Sequence, residues 1–124
     1  MPTRYVDGFV LPVPMRNKAA YLRMARLAAK VWMEHGALEY FESVADDVPA
    51  GKLTSFPRSV KLKRTEEVWF SWIVYKSRKH RDQVNAKVMQ DPRMAKFMDP
   101  KTMPLDAERM FYGGFKIKVA SKPR

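Results

Sequence analysis

The chain has 124 residues, 46% of them apolar, and 24 Lys and Arg against 13 Asp and Glu give it a formal net charge of +11. This is the size of one domain with a core of its own, and no apolar run approaches the ~20 residues needed to cross a bilayer. The absence of cysteine excludes disulfides, thiolate metal sites, iron–sulfur clusters and cysteine nucleophiles, while the positive charge favours contact with anions such as nucleic acid, acidic lipid or acidic small molecules.

Residues 4–13 read as a strand, closed by Pro12 and Pro14. Asn17 is placed to cap a helix over residues 18–34. In that helix Ala20, Met24, Leu27 and Val31 keep helical spacing, with Tyr21, Ala28 and Trp32 beside them. Gly36 stands where such a helix terminates. Residues 37–45 read as a second strand. Residues 46–64 hold Pro49, Gly51 and Pro57 and read as a loop or a long irregular hairpin connection. A third strand over residues 66–75 contains Val68-Trp69-Phe70-Ser71-Trp72-Ile73-Val74-Tyr75, where only Ser71 is neither bulky nor apolar. Such a strand needs cover on both faces. Ser77 caps a second helix running to about residue 90, with Val84 and Val88 facing inward. Asp91-Pro92 opens a short helical segment carrying Met94, Phe97 and Met98. Asp99-Pro100 and Met103-Pro104 mark a loop. Residues 109–119 form the last strand, where Gly113-Gly114 predicts a bulge or a close backbone approach.

The order strand, helix, strand, strand, helix, strand predicts an α+β, ferredoxin-like βαββαβ domain over residues 1–119, with a mobile basic tail at 120–124. Right-handed crossovers place strands 1 and 3 at the centre of an antiparallel sheet and strands 4 and 2 at its edges, with both helices on one face. The uncovered face is assigned Tyr5, Asp7, Phe9 and Leu11 from the first strand, Tyr40, Glu42 and Val44 from the second, and Phe70, Trp72 and Val74 from the third. A slip of one residue inverts any of these assignments. Burying about 700 Å² of such a face per subunit would contribute roughly 15 kcal/mol before the costs of association. Two sheets are therefore expected to pack face to face as a dimeric α/β barrel.

Seven segments resemble one bacterial family, domain of unknown function 1428. They are Tyr5-Val6-Asp7-Gly8-Phe9-Val10, Glu34-His35-Gly36-Ala37-Leu38-Glu39-Tyr40, Thr54-Ser55-Phe56-Pro57-Arg58, Phe70-Ser71-Trp72-Ile73-Val74-Tyr75, Val84-Asn85-Ala86-Lys87-Val88-Met89, Asp91-Pro92-Arg93-Met94 and Tyr112-Gly113-Gly114-Phe115. The resemblance spans about residues 4–119. It implies a branch of the dimeric α/β-barrel superfamily, which includes cofactor-free monooxygenases, haem-degrading enzymes, lyases and isomerases; a shared fold does not choose among these chemistries.

Asp7 and Glu42 are acid/base candidates, because a carboxylate on an apolar lining has a raised pKa; each can instead pair with a cation or sit at a barrel mouth. His35 is a third candidate, though its place before Gly36 also suits a helix-ending role. His35 and Glu39 straddle the helix end, so the i,i+4 geometry of a helical metal site is lost and no metal is expected. Trp72, Tyr40 and Tyr112 can form an aromatic pocket for a planar organic molecule, or can simply pack. Arg58 and Lys61, near Pro57, can hold a carboxylate or phosphate from a loop, or be solvated. Asn85, Asp91 and Arg93 are read as fixing the second helix and its short successor. No phosphate-cradling glycine loop or serine nucleophile motif appears, and no cofactor is expected.

Three functional readings remain open. One is a homodimeric small-molecule enzyme of the cofactor-free oxygenase or isomerase type, or an organic-ligand-binding protein. Another is an RNA- or polyanion-binding protein using the basic surface, whose affinity would fall with salt. The last is a non-catalytic dimeric scaffold. A cytoplasmic, non-membrane location is the default expectation.

Overall fold

The computed structural model of the protein describes residues 4–97 and 99–122. Met98, assigned above to the short helical segment, lies outside the described residues, as do residues 1–3 and the last two of the tail. The elements in order are β1 (Tyr5–Pro14), α1 (Lys18–Glu34), β2 (Glu39–Val44), α2 (Phe56–Ser59), β3 (Glu66–Tyr75), α3 (Arg78–Met89), α4 (Pro92–Ala95) and β4 (Phe111–Lys116). All strand pairs are antiparallel and the sheet order is β2-β3-β1-β4. That is the ferredoxin-like α+β arrangement, with strands 1 and 3 central.

Local chemistry sets most boundaries. Ser77 Oγ accepts from the His80 N–H at 3.1 Å, and Asp91 Oδ1 from the Arg93 N–H at 3.0 Å, so α3 and α4 begin at side-chain caps. Gly36, at φ 114°, ends α1 in a conformation that favours glycine. Asn17 does not cap α1. A 3-10 turn over Met15–Asn17 runs straight into the helix, and the Asn17 amide reaches the Pro104 carbonyl instead, at 3.5 Å. The presumed loop between β2 and β3 contains α2, started by Ser55 Oγ accepting from the Arg58 N–H at 3.1 Å. Strand β4 stops at Lys116, short of residue 119. Gly113 and Gly114 pair in regular register with Gly8 and Asp7, without a bulge. The reason for glycine is close approach, because a Cβ on Gly114 would lie 2.6 Å from Tyr5 Cε2.

The sheet faces correct the sequence phasing. Ala28 and Val31 of α1 and Val84 and Val88 of α3 form one buried cluster with Tyr5, Ile73 and Tyr75. Register places Asp7 beside Ile73, Phe9 beside Ser71 and Leu11 beside Trp69. It also places Tyr40 beside Ile73, Glu42 beside Ser71 and Val44 beside Trp69. Tyr5, Asp7, Phe9, Leu11, Tyr40, Glu42 and Val44 thus face the helices, opposite to their assignment above. Phe70, Trp72 and Val74 do lie on the uncovered side. The slip, in β1 and β2, has a physical origin: β1 is largely apolar on both faces and β2 mixes polar and apolar residues without alternating, so neither signals which side is which.

The uncovered side carries an aromatic ladder. Phe56 to Phe70, Phe70 to Trp72 and Trp72 to Phe41 are 5.8, 5.2 and 4.9 Å between ring centroids. Phe111 and Phe115 rise from β4, the latter 63% exposed. Between the two groups runs a trough over Gly8, where an added Cβ meets nothing within 4 Å. One end of this face is covered from within the chain, where Val60, with Val48 and Leu62, packs on Val10 and Val68. Arg109 clamps that cover. It donates to Glu66 Oε1 at 2.9 Å, to Asp106 Oδ2 at 2.8 Å, and to the carbonyls of Val60 and Lys61 at 3.2 and 3.0 Å.

Candidate functional site

The helix-covered face does not close completely. Its apolar residues form two clusters: one is centred on Val31, Tyr75 and Val88, the other on Leu11, Tyr21, Trp69 and Leu105. A cavity of about 430 Å³ lies between sheet and helices, lined by members of both. This volume suits a small organic molecule. Two exposed lining residues, Met89 and Tyr112, mark its mouth between the end of α3 and the edge strand β4. Phe9 and Tyr112 stack at 5.6 Å, and Trp32 and Tyr40 meet at 6.1 Å.

Most of the lining is apolar or aromatic, but two carboxylates enter it. Glu42 accepts from the Tyr21 hydroxyl at 2.7 Å on Oε1 and from the Tyr40 hydroxyl at 2.9 Å on Oε2. One donor comes from α1 and the other from two residues away on the same strand face. Burial pushes the Glu42 pKa up, while the two tyrosine hydrogen bonds oppose that shift. The phenols of Tyr21 and Tyr40 are pushed up in turn, by burial and then by the adjacent Glu42 charge, so they remain donors.

Asp7 has different company. Arg81 of α3 donates to Asp7 Oδ1 at 2.7 Å and sits 5.0 Å from the Tyr5 ring centroid. Burial raises the Asp7 pKa and the Arg81 charge lowers it, the burial being the larger cause. Behind this pair, Trp32 Nε1 donates to Asn85 Oδ1 and to the Tyr75 hydroxyl, both at 3.1 Å, and Tyr75 donates to Asn85 Oδ1 at 3.2 Å. Asp7 is one strand from β3 and two from β2, so at roughly 4.8 Å per strand the two carboxylates stand on opposite sides of the cavity floor. One is compensated by a guanidinium; the other is held only by hydroxyls.

The structure therefore brings Asp7, Glu42, Tyr40 and Tyr112 to one cavity. It does not bring the other candidates there. Trp72 lies on the opposite sheet face, stacked on Phe41. His35 sits at the end of α1, with Nε2 2.9 Å from Asp91 Oδ2, and that aspartate also takes a 2.8 Å bond from Arg93 Nη2. Arg58 is spent on its own loop, donating to the carbonyls of Ala50 and Gly51 at 2.9 Å. Lys61, at φ 49°, is an exposed residue of the same connection. Arg58 and Lys61 miss the cavity because the connection that holds them crosses the side of the sheet away from it.

Sequence reasoning missed Tyr21, Ser71, Arg81 and Asn85 as cavity residues. Tyr21 had a usable signal. It shares the inward stripe of α1 with Ala25 and Ala28, and a buried phenol needs a hydrogen-bond partner. Arg81 gave none, being one cation in the run Arg78-Lys79-His80-Arg81. Among the described residues, no cluster of three or more metal-ligating side chains occurs, and no helix is long and apolar enough to cross a membrane.

Solved structures that resemble the chain share its fold. A protein of unknown function from Nitrosomonas europaea matches with a TM-score of 0.62 at 11% identity, over 99% of this chain and 97% of that one. A NIPSNAP-like domain protein from Burkholderia xenovorans matches at 0.59 and 14%, over 100% and 92%. A protein described as a dimeric ferredoxin-like protein, from an uncultured marine organism, matches at 0.57 and 9%, over 96% and 99%. In sequence, the uncharacterized protein YbaA of Escherichia coli K12 is 52% identical over 112 residues, covering 90% of this chain and 94% of that protein. Residues 4–107 match the family described as protein of unknown function (DUF1428), and the chain belongs to that family.

Proposed function

We propose that this is a homodimeric protein whose helix–sheet cavity takes a small organic molecule, with Glu42 as the acid/base group of a cofactor-free reaction. The observation that carries the reading is the setting of Glu42. It is a half-buried carboxylate with a raised pKa, gripped on both oxygens by tyrosine hydroxyls and facing an otherwise largely apolar space. A carboxylate tuned upward by burial is a better base than a solvated one and remains oriented by its two donors. Proton abstraction by Glu42 fits these residue types, the resulting carbanion either regaining a proton from the Glu42 acid at another carbon (isomerisation) or being oxidised by dioxygen, which becomes bonded to that carbon as a peroxide. Asp7, neutralised by Arg81, serves better as a wall of the cavity than as a second base. The dimer rests on the aromatic ladder of the uncovered face, where Phe41 and Phe70 are each 41% exposed. A contiguous apolar patch of this kind marks an interface. The experiment is native mass spectrometry of gently purified protein. A dimer carrying an extra small mass, lost in Glu42→Gln, is expected; a monomer overturns the dimer. A dimer whose bound mass persists in Glu42→Gln removes Glu42 from the ligand's contacts. Phe70→Lys, which places a charge in the ladder, is expected to give a monomer in sedimentation velocity.

A further inference from the structure

The charge of the cavity is opposite to that of the molecule. Its charged lining residues are Asp7, Glu42 and Arg81. Asp7 and Arg81 form an ion pair at 2.7 Å, which leaves Glu42 uncompensated. The protein as a whole carries +11. Yet among the described residues Glu42 forms no ion pair, and its side-chain hydrogen-bond partners there are the two tyrosines.

The hydrogen bonding indicates the form of Glu42 that the site is built to hold. Tyr21 and Tyr40 each have Glu42 as the one acceptor found for their hydroxyl. Both therefore donate to it, one to each oxygen, and a group accepting on both oxygens is arranged as a carboxylate rather than as an acid. A carboxylate withdrawn even partly from water without a cation is unfavourable, and burial accordingly raises the Glu42 pKa. The aromatic rings of Phe9, Tyr21, Trp32, Tyr40, Phe97 and Tyr112 line the same cavity, and of these Tyr21 and Tyr40 touch Glu42 directly. Aromatic walls and one acidic group form the arrangement that recognises an organic ammonium: the rings attract the cation through their quadrupoles, and the carboxylate supplies the counter-charge.

We propose that the ligand of this cavity is an organic ammonium, a protonated or quaternary amine on an apolar body, with its charged nitrogen beside Glu42. The inference rests on the cavity being the ligand site, as proposed above, and it specifies the ligand's class. It also accounts for the uncompensated acid: the ligand's own charge would supply the counter-charge that Glu42 lacks within the chain.

The test uses a matched pair of probes of nearly equal shape, phenyltrimethylammonium and tert-butylbenzene. Their binding to the full chain is followed by the nitrogen-15 NMR shift of the Trp32 indole. The cation is expected to bind about tenfold more tightly than its neutral isostere. Glu42→Gln, with folding verified by circular dichroism, is expected to remove most of that preference. The wild-type comparison stands without the variant. Equal affinity of the two probes overturns the ammonium class and leaves the cavity as a ligand site. A preference that survives Glu42→Gln unchanged overturns the role of Glu42 as counter-charge. If neither probe moves the Trp32 signal, the cavity itself is not the ligand site and both readings fall.

Discussion

Replacing Gly114 with alanine is expected to destabilise the protein through Tyr5 alone. An added Cβ would lie 2.6 Å from Cε2 and 2.7 Å from Cζ of the Tyr5 ring, well inside contact distance. The ring has little room to retreat. Tyr5 is 7% exposed, belongs to the main buried cluster, and has the Arg81 guanidinium 5.0 Å from its centroid. The edge strand must move instead, loosening the Asp7–Gly114 and Tyr5–Lys116 pairs. Overpacking of this kind costs about 1–3 kcal/mol. Gly113→Ala is the control one residue away: its Cβ would meet only the Phe115 ring, at 3.6 and 3.9 Å, and its φ is not positive. That substitution is expected to change stability by no more than about 0.5 kcal/mol. Urea unfolding at fixed protein concentration, followed by tryptophan fluorescence, measures both. A double-mutant cycle isolates the cause. In a Tyr5→Leu background the cost of Gly114→Ala should fall by about 1 kcal/mol or more, because the clashing ring is gone. Equal losses for the two glycines, or strict additivity with Tyr5→Leu, would refute the steric argument.

Two further predictions concern ionised groups. Arg109→Ala should cost about 3 kcal/mol at neutral pH, since it leaves the buried Glu66 carboxylate without its cation. Arg109 holds the Glu66 pKa below its ordinary value, so this contribution is complete above that value and is lost as pH falls through the folded one. Urea midpoints of wild type and variant should converge on acidification, and an undiminished gap at roughly pH 3 would sink the assignment. Glu42 behaves in the opposite sense. Its folded pKa is raised, so the folded state binds its proton more tightly than the unfolded chain. Wild-type stability relative to Glu42→Gln is thus highest below the ordinary carboxylate value and declines as pH rises through the raised one. A difference that stays flat from roughly pH 4 to 8 would mean that Glu42 is not desolvated.

The fold was legible because its signals are local and independent. The third strand was readable closely, as about Glu66 to Tyr75, because eight consecutive side chains favour strand and helix-capping Ser77 stands two residues after its end. Gly36, Ser77 and Asp91-Pro92 each marked a real boundary through backbone chemistry that needs no tertiary context. The site was legible only in part. Asp7 and Glu42 stood out as carboxylates within apolar strands, and both do line the cavity. Which face they occupy depends on whether helices or another surface lies above, and a strand apolar on both sides carries no record of that. Arg58 looked like a pocket residue because the path of a long connection is set by where Val60 finds cover, not by its own composition. Of the partners of Glu42, Tyr40 lies two residues away on the same strand face, where period-two spacing links them, but Tyr21 comes from α1 and no spacing rule links a helix position to a strand across 21 residues.

Strand β3 works as a partition. Along Phe70-Ser71-Trp72-Ile73, alternate side chains enter the cavity and the aromatic ladder, so neighbours 3.3 Å apart along the backbone serve different compartments. The chemistry proposed inside and the association proposed outside share one thin wall but no side chain of this strand. Substitutions at Ser71 or Ile73 can then reshape what the cavity admits while the outer surface stays as it was. Changes at Phe70 or Trp72 can remake the outer surface without touching the cavity. Selection can act on the two sides of one sheet separately, and a chain of only 124 residues can carry two independently adjustable surfaces on a single β-strand.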